Sequence, residues 1–270
     1  MEEMFTADNE TIMNSTIQLY IDNSQYQRSI EFVNILLQSF QNFTQQKYKG
    51  QDPELLQLPF NIEMAGKSKD FNFSDYYLPG YLLMFIYISQ ITVSGLTLNQ
   101  EQKSGLFERS LIAGVSHELV FFSHIVTGFM IAIVQVCLMN LTTFVIFDNP
   151  INGRVWVQFS LFILQSMSAM SLGFVISAFV NNEIGSIVLV WFTTIPQFFT
   201  SGLFWPIEAV NQPIQRLLYM LPLTVPISTV RQVVLQGWDL SNQQVQHGFI
   251  YTAVPMFIFF YVALIAFKQK

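Results

Sequence analysis

Two short stretches of this 270-residue sequence carry residue types that could do chemistry. His117-Glu118 begins like the zinc motif H-E-x-x-H, in which two histidines one helical turn apart hold the metal and the glutamate acts as a base. Position 121, where the second histidine would stand, is Phe121. His117 and His124 are seven apart and could share a helix face, yet no third ligand is spaced to join them. They read as interfacial or core histidines. Ala65-Gly66-Lys67-Ser68 carries the end of the phosphate-cradling G-x-x-x-x-G-K-[ST] loop. The first glycine would fall at position 61, which is Asn61, and no strand of buried type is expected to lead in, so a polar loop is expected. The only cysteine, Cys137, cannot close an intrachain disulfide. No catalytic residue and no metal site are assigned, and no cofactor is expected on this sequence itself.

What must position these residues is a membrane protein. Charged residues are 11% of the sequence, against roughly a quarter in a soluble domain. Residues 1–75 hold eleven acidic and five basic side chains, while residues 76–270 hold seven of each, so the whole net charge of −6 sits in the first quarter. No basic arm or patch suggests nucleic acid. Five stretches contain no Asp, Glu, Lys or Arg, at about 76–98, 119–147, 155–180, 184–205 and 249–267. Each meets the ~20 residues needed to cross a ~30 Å hydrocarbon core. A central Arg or Lys would cost about 2.5–3.5 kcal/mol on insertion scales, and the charges respect that cost by clustering between the runs. The absence of intramembrane charge argues against an ion-coupled carrier. Polar groups within the runs are limited to residues such as Gln90, Gln135, Asn140, Gln165 and Gln197. Ala169, Gly173 and Ser177 form a small-xxx-small row that lets helices approach closely.

Lys and Arg are split almost evenly between the two sets of loops, so they orient the chain weakly. Glycosylation sequons decide better: those at Asn9, Asn14, Asn42 and Asn72 all precede the first apolar run, where about one is expected by chance. Residues 1–75 are therefore expected to form an extracellular ectodomain, and the C-terminus to be cytosolic. Residues 1–16 are acidic and polar, with no apolar segment to translocate them. The expectation is a fragment or truncated product lacking an earlier membrane helix. Within the ectodomain, Ile17–Ile21 reads as a strand. After a turn at Asp22-Asn23, Ser24 and Gln27 have capping-box spacing. Ile30, Val33, Leu37 and Phe40 then recur at helical spacing to about Gln46.

Two inter-helix segments carry pattern. Residues 100–115 place Phe107, Leu111 and Val115 on one helical face beside Glu101, Lys103, Glu108 and Arg109, as in a short amphipathic interfacial helix. Residues 206–248 hold Pro206, Pro213, Pro222 and Pro226. Short helices at Gln215–Leu221 and Ile227–Leu235, broken at Pro222 and Pro226, are expected, in an element that re-enters the outer leaflet.

The run Ser201-Gly202-Leu203-Phe204-Trp205-Pro206-Ile207-Glu208, followed by Pro213, Tyr219, Pro222-Leu223-Thr224, Arg231 and Gly237, resembles the C-terminal region of ABC type-2 exporter permeases. Glu101, Lys103, Gly105, Glu108-Arg109-Ser110 and Gly114-Val115 resemble that family's intracellular coupling helix. Ile17–Ser24 and Asp75–Gly80 resemble the start and exit of its first ectodomain. The segment Gly105–Val115 is most similar to the arthropod H group. The resemblance implies a multi-pass α-helical fold with a small α/β ectodomain, five spans being present of an expected six. It implies partners too: a nucleotide-binding domain carrying ATP and Mg outside this sequence, a second transporter half as homo- or heterodimer, and membrane lipid. Glu101, Lys103, Gly105, Glu108 and Arg109 would form the coupling helix, and Gly202, Pro206, Glu208, Pro222 and Arg231 would shape the re-entrant loop. A lipid-like or hydrophobic cargo and a plasma-membrane location are expected. The rival functions are a glycosylated receptor or adhesion protein and an integral-membrane enzyme.

Overall fold

The computed structural model describes residues 17–22, 60–65, 73–146, 151–180, 182–204, 207 and 210–268, with isolated helical positions between 32 and 39. Asn9, Asn14, Asn42 and Asn72, the Ser24–Gln27 cap, Pro206 and Glu208 lie outside the described residues. The chain divides into two units, Met1–Asp70 and Phe71–Lys270.

In the first unit, strand β1 (Ile17–Asp22) pairs in parallel with β2 (Phe60–Ala65), Ile17 opposite Phe60 and Asp22 opposite Ala65. Parallel neighbours need a crossover, and Phe32, Val33, Ile35, Leu36, Gln38 and Ser39 between them are helical. The unit is thus a β–α–β arrangement. Strand β2 runs up to Ala65, and whether it is of the buried type excluded above lies outside the described features. That strand removes the phosphate loop: residues 61–65, which a P-loop would need as its irregular turn, are spent on the ladder.

The second unit is helical. Helix α1 spans Phe73–Lys103, α2 Leu106–Ile112, α3 His117–Asn140, α4 Val155–Phe179, α5 Glu183–Thr200, α6 Gln212–Leu218, α7 Thr224–Gln236 and α8 Gln243–Lys268. A π-helical turn, Leu141–Ile146, continues α3. Among the described residues four helices are long and apolar enough to cross a membrane: α1, α3 with its π-turn, α4 and α8. The run at 184–205 yields only the 18 residues of α5, about 27 Å at 1.5 Å per residue. It stops short because Gly202 takes φ +80° and the carbonyls of Gly202 and Leu203 turn to accept from Arg231 instead of extending the helix.

Helix α4 is buried along most of its length, whereas α3 and α8 keep most of theirs exposed. Around that post α1 packs on α4, α5 and α7, and α8 packs on α4 and α7. The small-residue row faces inward: Ala169 and Ser177 are fully buried, and Gly95 of α1 meets Gly173 of α4 backbone to backbone. Close approach suits a bilayer, where burying apolar surface against another helix gains little over lipid. The proline-rich segment differs from expectation in its bounds, since α6 is Gln212–Leu218 where Gln215–Leu221 was expected and α7 is Thr224–Gln236 where Ile227–Leu235 was expected. Pro226 does not break a helix; it occupies the first turn of α7, where its missing N–H would have had no partner anyway.

Candidate functional site

Side chains that tie helices together include the buried Gln90 amide at mid-height, which donates to Gly128 O of α3 at 3.0 Å, and two larger sets at the ends of the bundle. At the end bearing α2, the segment 100–115 is not one helix. Residues 100–103 finish α1, Gly105 adopts φ +71°, α2 runs for seven residues, and Gly114 adopts φ +90° before Ser116 caps α3 by accepting from the Leu119 amide at 3.3 Å. Two left-handed glycines therefore isolate α2 as a separate lever. L-residues pay to enter that region and glycine does not.

The lever is held by its apolar face, Phe107 deepest with Leu111 packed against the same cluster. Phe107 is buried, with its ring centroid 5.9 Å from His117 and 6.3 Å from Phe267 of α8. Beyond it Phe121 lies 5.1 Å from Phe174 and 5.9 Å from Phe267, so one aromatic cluster joins α2, α3, α4 and α8. Glu108 and Arg109 stand exposed on the outer side of α2.

Polar clips surround this latch. Glu101, in the last turn of α1, meets His124 of α3 at 2.9 Å. Lys103 meets Glu183, the first residue of α5, at 3.2 Å across an exposed gap. Deeper in, the buried Asn99 amide donates to Ser186 Oγ of α5 and accepts from Ser177 Oγ of α4 at 3.3 Å. His117 and His124 have different duties: one meets Phe107 edge to face, the other pairs with Glu101.

At the opposite end Arg231 of α7 is 9% exposed. Its two terminal nitrogens donate to Gly202 O at 2.8 Å and Leu203 O at 3.1 Å, and its carbon sits 4.3 Å above the Tyr76 ring. The fork of the guanidinium suits two adjacent carbonyls as a lysine would not. Pro222, just before α7, accepts from Gln165 Nε2 of α4 at 3.2 Å. Residues 151–154 clamp the other end of α7: Asn152 donates to Val234 O and Leu235 O, and Arg154 pairs with Asp239 at 2.9 Å.

Of the residues singled out from sequence, the structure gathers Glu101, Lys103 and Gly105 at the lever, and Gly202, Pro222 and Arg231 at the far end. It leaves Glu108 and Arg109 facing outward. Asn99 and Ser186 were missed, as were the pairings of Ser177 with Asn99 and of His124 with Glu101. Asn99 carried a faint signal, being an amide one residue past a charge-free run.

Such an arrangement presents hinges and clips, in a polytopic helical membrane protein, rather than an assembled acid, base and nucleophile. Residues 3–267 match the family described as ABC-2 family transporter protein, and the chain belongs to that family. It is 24% identical over 257 residues to ABC transporter G family member 20 of Dictyostelium discoideum, covering 95% of this chain and 35% of that protein. It is 24% identical over 210 residues to G family member 23 of the same organism, covering 78% of this chain and 29% of that protein. Linearmycin resistance permease protein LnrN of Bacillus subtilis (strain 168) is 25% identical over 167 residues, covering 60% of this chain and 42% of that protein. The chain thus spans about a third of the length of these G family relatives.

Proposed function

We propose that this chain is the translocation half of an exporter that moves a lipid-like or hydrophobic substrate, with α2 as the element that receives motion from a nucleotide-binding domain. The observation that carries this is the Phe107 latch: a seven-residue lever bounded by two left-handed glycines and anchored most deeply by one ring in a cluster reaching three membrane helices. A relative named a permease supports the transport role. In this reading ATP and Mg bind a domain outside this sequence, and no enzyme activity belongs to the chain itself. The α2 end faces the cytosol of a plasma-membrane protein, and α5 serves as a short fifth span. Residues 1–75 lie outside the cell with glycans on Asn9, Asn14, Asn42 and Asn72. A second half completes the pathway. The arthropod H-group affiliation rests on the Gly105–Val115 segment.

The test is Phe107→Ala in the complete transporter, reconstituted in liposomes and assayed for ATP hydrolysis and substrate flux together. Removing the ring leaves the lever in place without its deepest anchor. ATP hydrolysis is expected to persist while flux falls by an order of magnitude or more, since truncating a buried phenylalanine forfeits about 3–5 kcal/mol of packing. Flux and hydrolysis both at parental levels would refute α2 as the transmitting element. Charge reversal of the exposed Glu108 and Arg109 asks the complementary question, whether the outer face of α2 meets the nucleotide-binding domain.

A further inference from the structure

Away from both clip sets, a small cleft lies among α1, the π-turn, α4 and α7. Leu78, Leu82, Thr143, Phe144, Gln158 and Val234 are among the residues lining it. It encloses about 10 Å³, room for one water and nothing larger. Gln158 is 1% exposed, and among the described residues neither its amide oxygen nor its amide nitrogen has a hydrogen-bond partner. Asp75 also lines the cleft and already has an interaction of its own, so the unmet groups are those of Gln158. A buried amide left unpaired on both atoms is costly anywhere, and more so beside hydrocarbon.

Size and hydrogen-bond inventory together select the occupant. A lipid head group is too large. A bare cation would meet Oε1 and leave Nε2 without an acceptor, and an anion would do the reverse. A water accepts from Nε2 and donates one hydrogen to Oε1 of the same amide, which leaves its second hydrogen for another acceptor. Thr143, 3% exposed in the π-turn, brings a hydroxyl to the same cleft. Gln158 is three residues into α4, about 5 Å from its start, so water at the membrane boundary is close enough to supply the site.

We propose that this cleft is the binding site of one structural water, held by the Gln158 amide and bridging α4 to Thr143 of the π-turn. The two ends of the α3 rod are then fastened to α4 by different means. At the α2 end rings do it, with Phe121 5.1 Å from Phe174. At the far end a water does it, which bonds nearly as well as a side chain and can leave and return. The site does not depend on the transport reading, because it needs neither ATP nor a second half.

The test is solid-state NMR of the ¹⁵N-labelled chain in nanodiscs, reading how fast magnetisation passes from water protons to each nitrogen. Gln158 Nε2 is expected to take up water magnetisation several-fold faster than the backbone nitrogen of Gly173, which lies where α4 touches α1. Gln158→Met assigns the resonance by removing it. Should that variant fail to insert, correlation to the Gln158 backbone in the parental chain assigns it instead. Transfer to Gln158 Nε2 no faster than to Gly173 would overturn the proposal by showing a dry amide. Unfolding in detergent micelles gives an independent check. A dry amide predicts that Gln158→Met shifts the unfolding equilibrium about tenfold toward the folded chain, one unmet group's penalty, whereas a bound water predicts no such gain. A tenfold stabilisation would therefore overturn the proposal as well.

Discussion

Gly173 is where the packing of α1 on α4 is least forgiving. A Cβ built there would stand 2.0 Å from Ser94 Oγ and 2.6 Å from Ile91 O. The serine hydroxyl can turn aside, at the expense of its bond to Gln90 O at 2.8 Å. The Ile91 carbonyl is backbone and cannot. Restoring an ordinary contact of about 3.5 Å requires α1 and α4 to part by roughly 0.9 Å, and overpacking of this kind costs about 1–3 kcal/mol. Alanine's better helix propensity offsets little of this, because helices separated within a bilayer stay helical and the gain cancels. Gly173→Ala should therefore destabilise the chain by about 1–3 kcal/mol, read by thermal or denaturant unfolding in detergent micelles. Adding Ser94→Gly should recover only part of the loss, since the backbone clash remains, giving a non-zero coupling in the double-mutant cycle. A single variant as stable as the parent would refute the close approach of the two backbones. Full recovery in the double variant would mean that the serine was the whole obstacle.

Arg231→Met removes two charge-assisted bonds to the Gly202 and Leu203 carbonyls together with the ring contact, and should cost about 3–5 kcal/mol. Arg231→Lys should recover less than half, because a point donor cannot fork to two carbonyls, and unfolding midpoints of the three proteins check the order. Gly105→Ala meets no atom within 4 Å, so its effect is purely conformational: about 1–2 kcal/mol for an L-residue at φ +71°, or relaxation of the lever to another angle. Unchanged unfolding, with unchanged spectroscopic distance between labels on α2 and α3, would sink that account.

The spans were legible because charge is expensive in lipid: the charge-free runs at 76–98, 119–147, 155–180 and 249–267 all became helices, with ends displaced by a few residues. Those displacements have a physical cause. Helix α8 starts at Gln243, since uncharged Gln, His and Gly at a membrane boundary cost little and the run's edge carries no stop signal. The end of α5 was not legible, because what halts it is Arg231, 29 residues away in sequence. The break at Gly105 was hidden by periodicity, as Phe107, Leu111 and Val115 fit one helix whether or not it joins α1. The strand before Gly66 was legible, since Phe60, Ile62 and Met64 alternate with Asn61 and Glu63; only an apolar run of buried type was weighed ahead of the phosphate-loop motif. Pairings such as Glu101 with His124 and Asn99 with Ser186 join separate helices, and no local pattern encodes them.

Helix α1 links the two ends. Its 31 residues make a rod of about 46 Å, and its only internal proline, Pro79, falls in its first two turns. The contacts that fix its register are not alike in strength. Lys103–Glu183 is exposed and screened, so it contributes at most about 1 kcal/mol. Asn99–Ser186–Ser177 is buried, and breaking it would leave unpaired groups beside lipid. Apolar contacts between helices discriminate little against lipid, so these polar clips and the Gly95–Gly173 approach carry most of the positional information. A push on α2 would therefore swing it about Gly105, open the exposed clip first, and reach α1 both directly through Ser104-Gly105 and by way of α3 through the Glu101–His124 and Gln90–Gly128 contacts. With the Asn99 network and the glycine contact holding, α1 could then respond only as a rod tilting on α4 near Gly95. A tilt about that point would carry the Tyr76 and Tyr77 end against Arg231, so motion delivered at one face of the membrane would arrive at the other without any helix changing its internal structure.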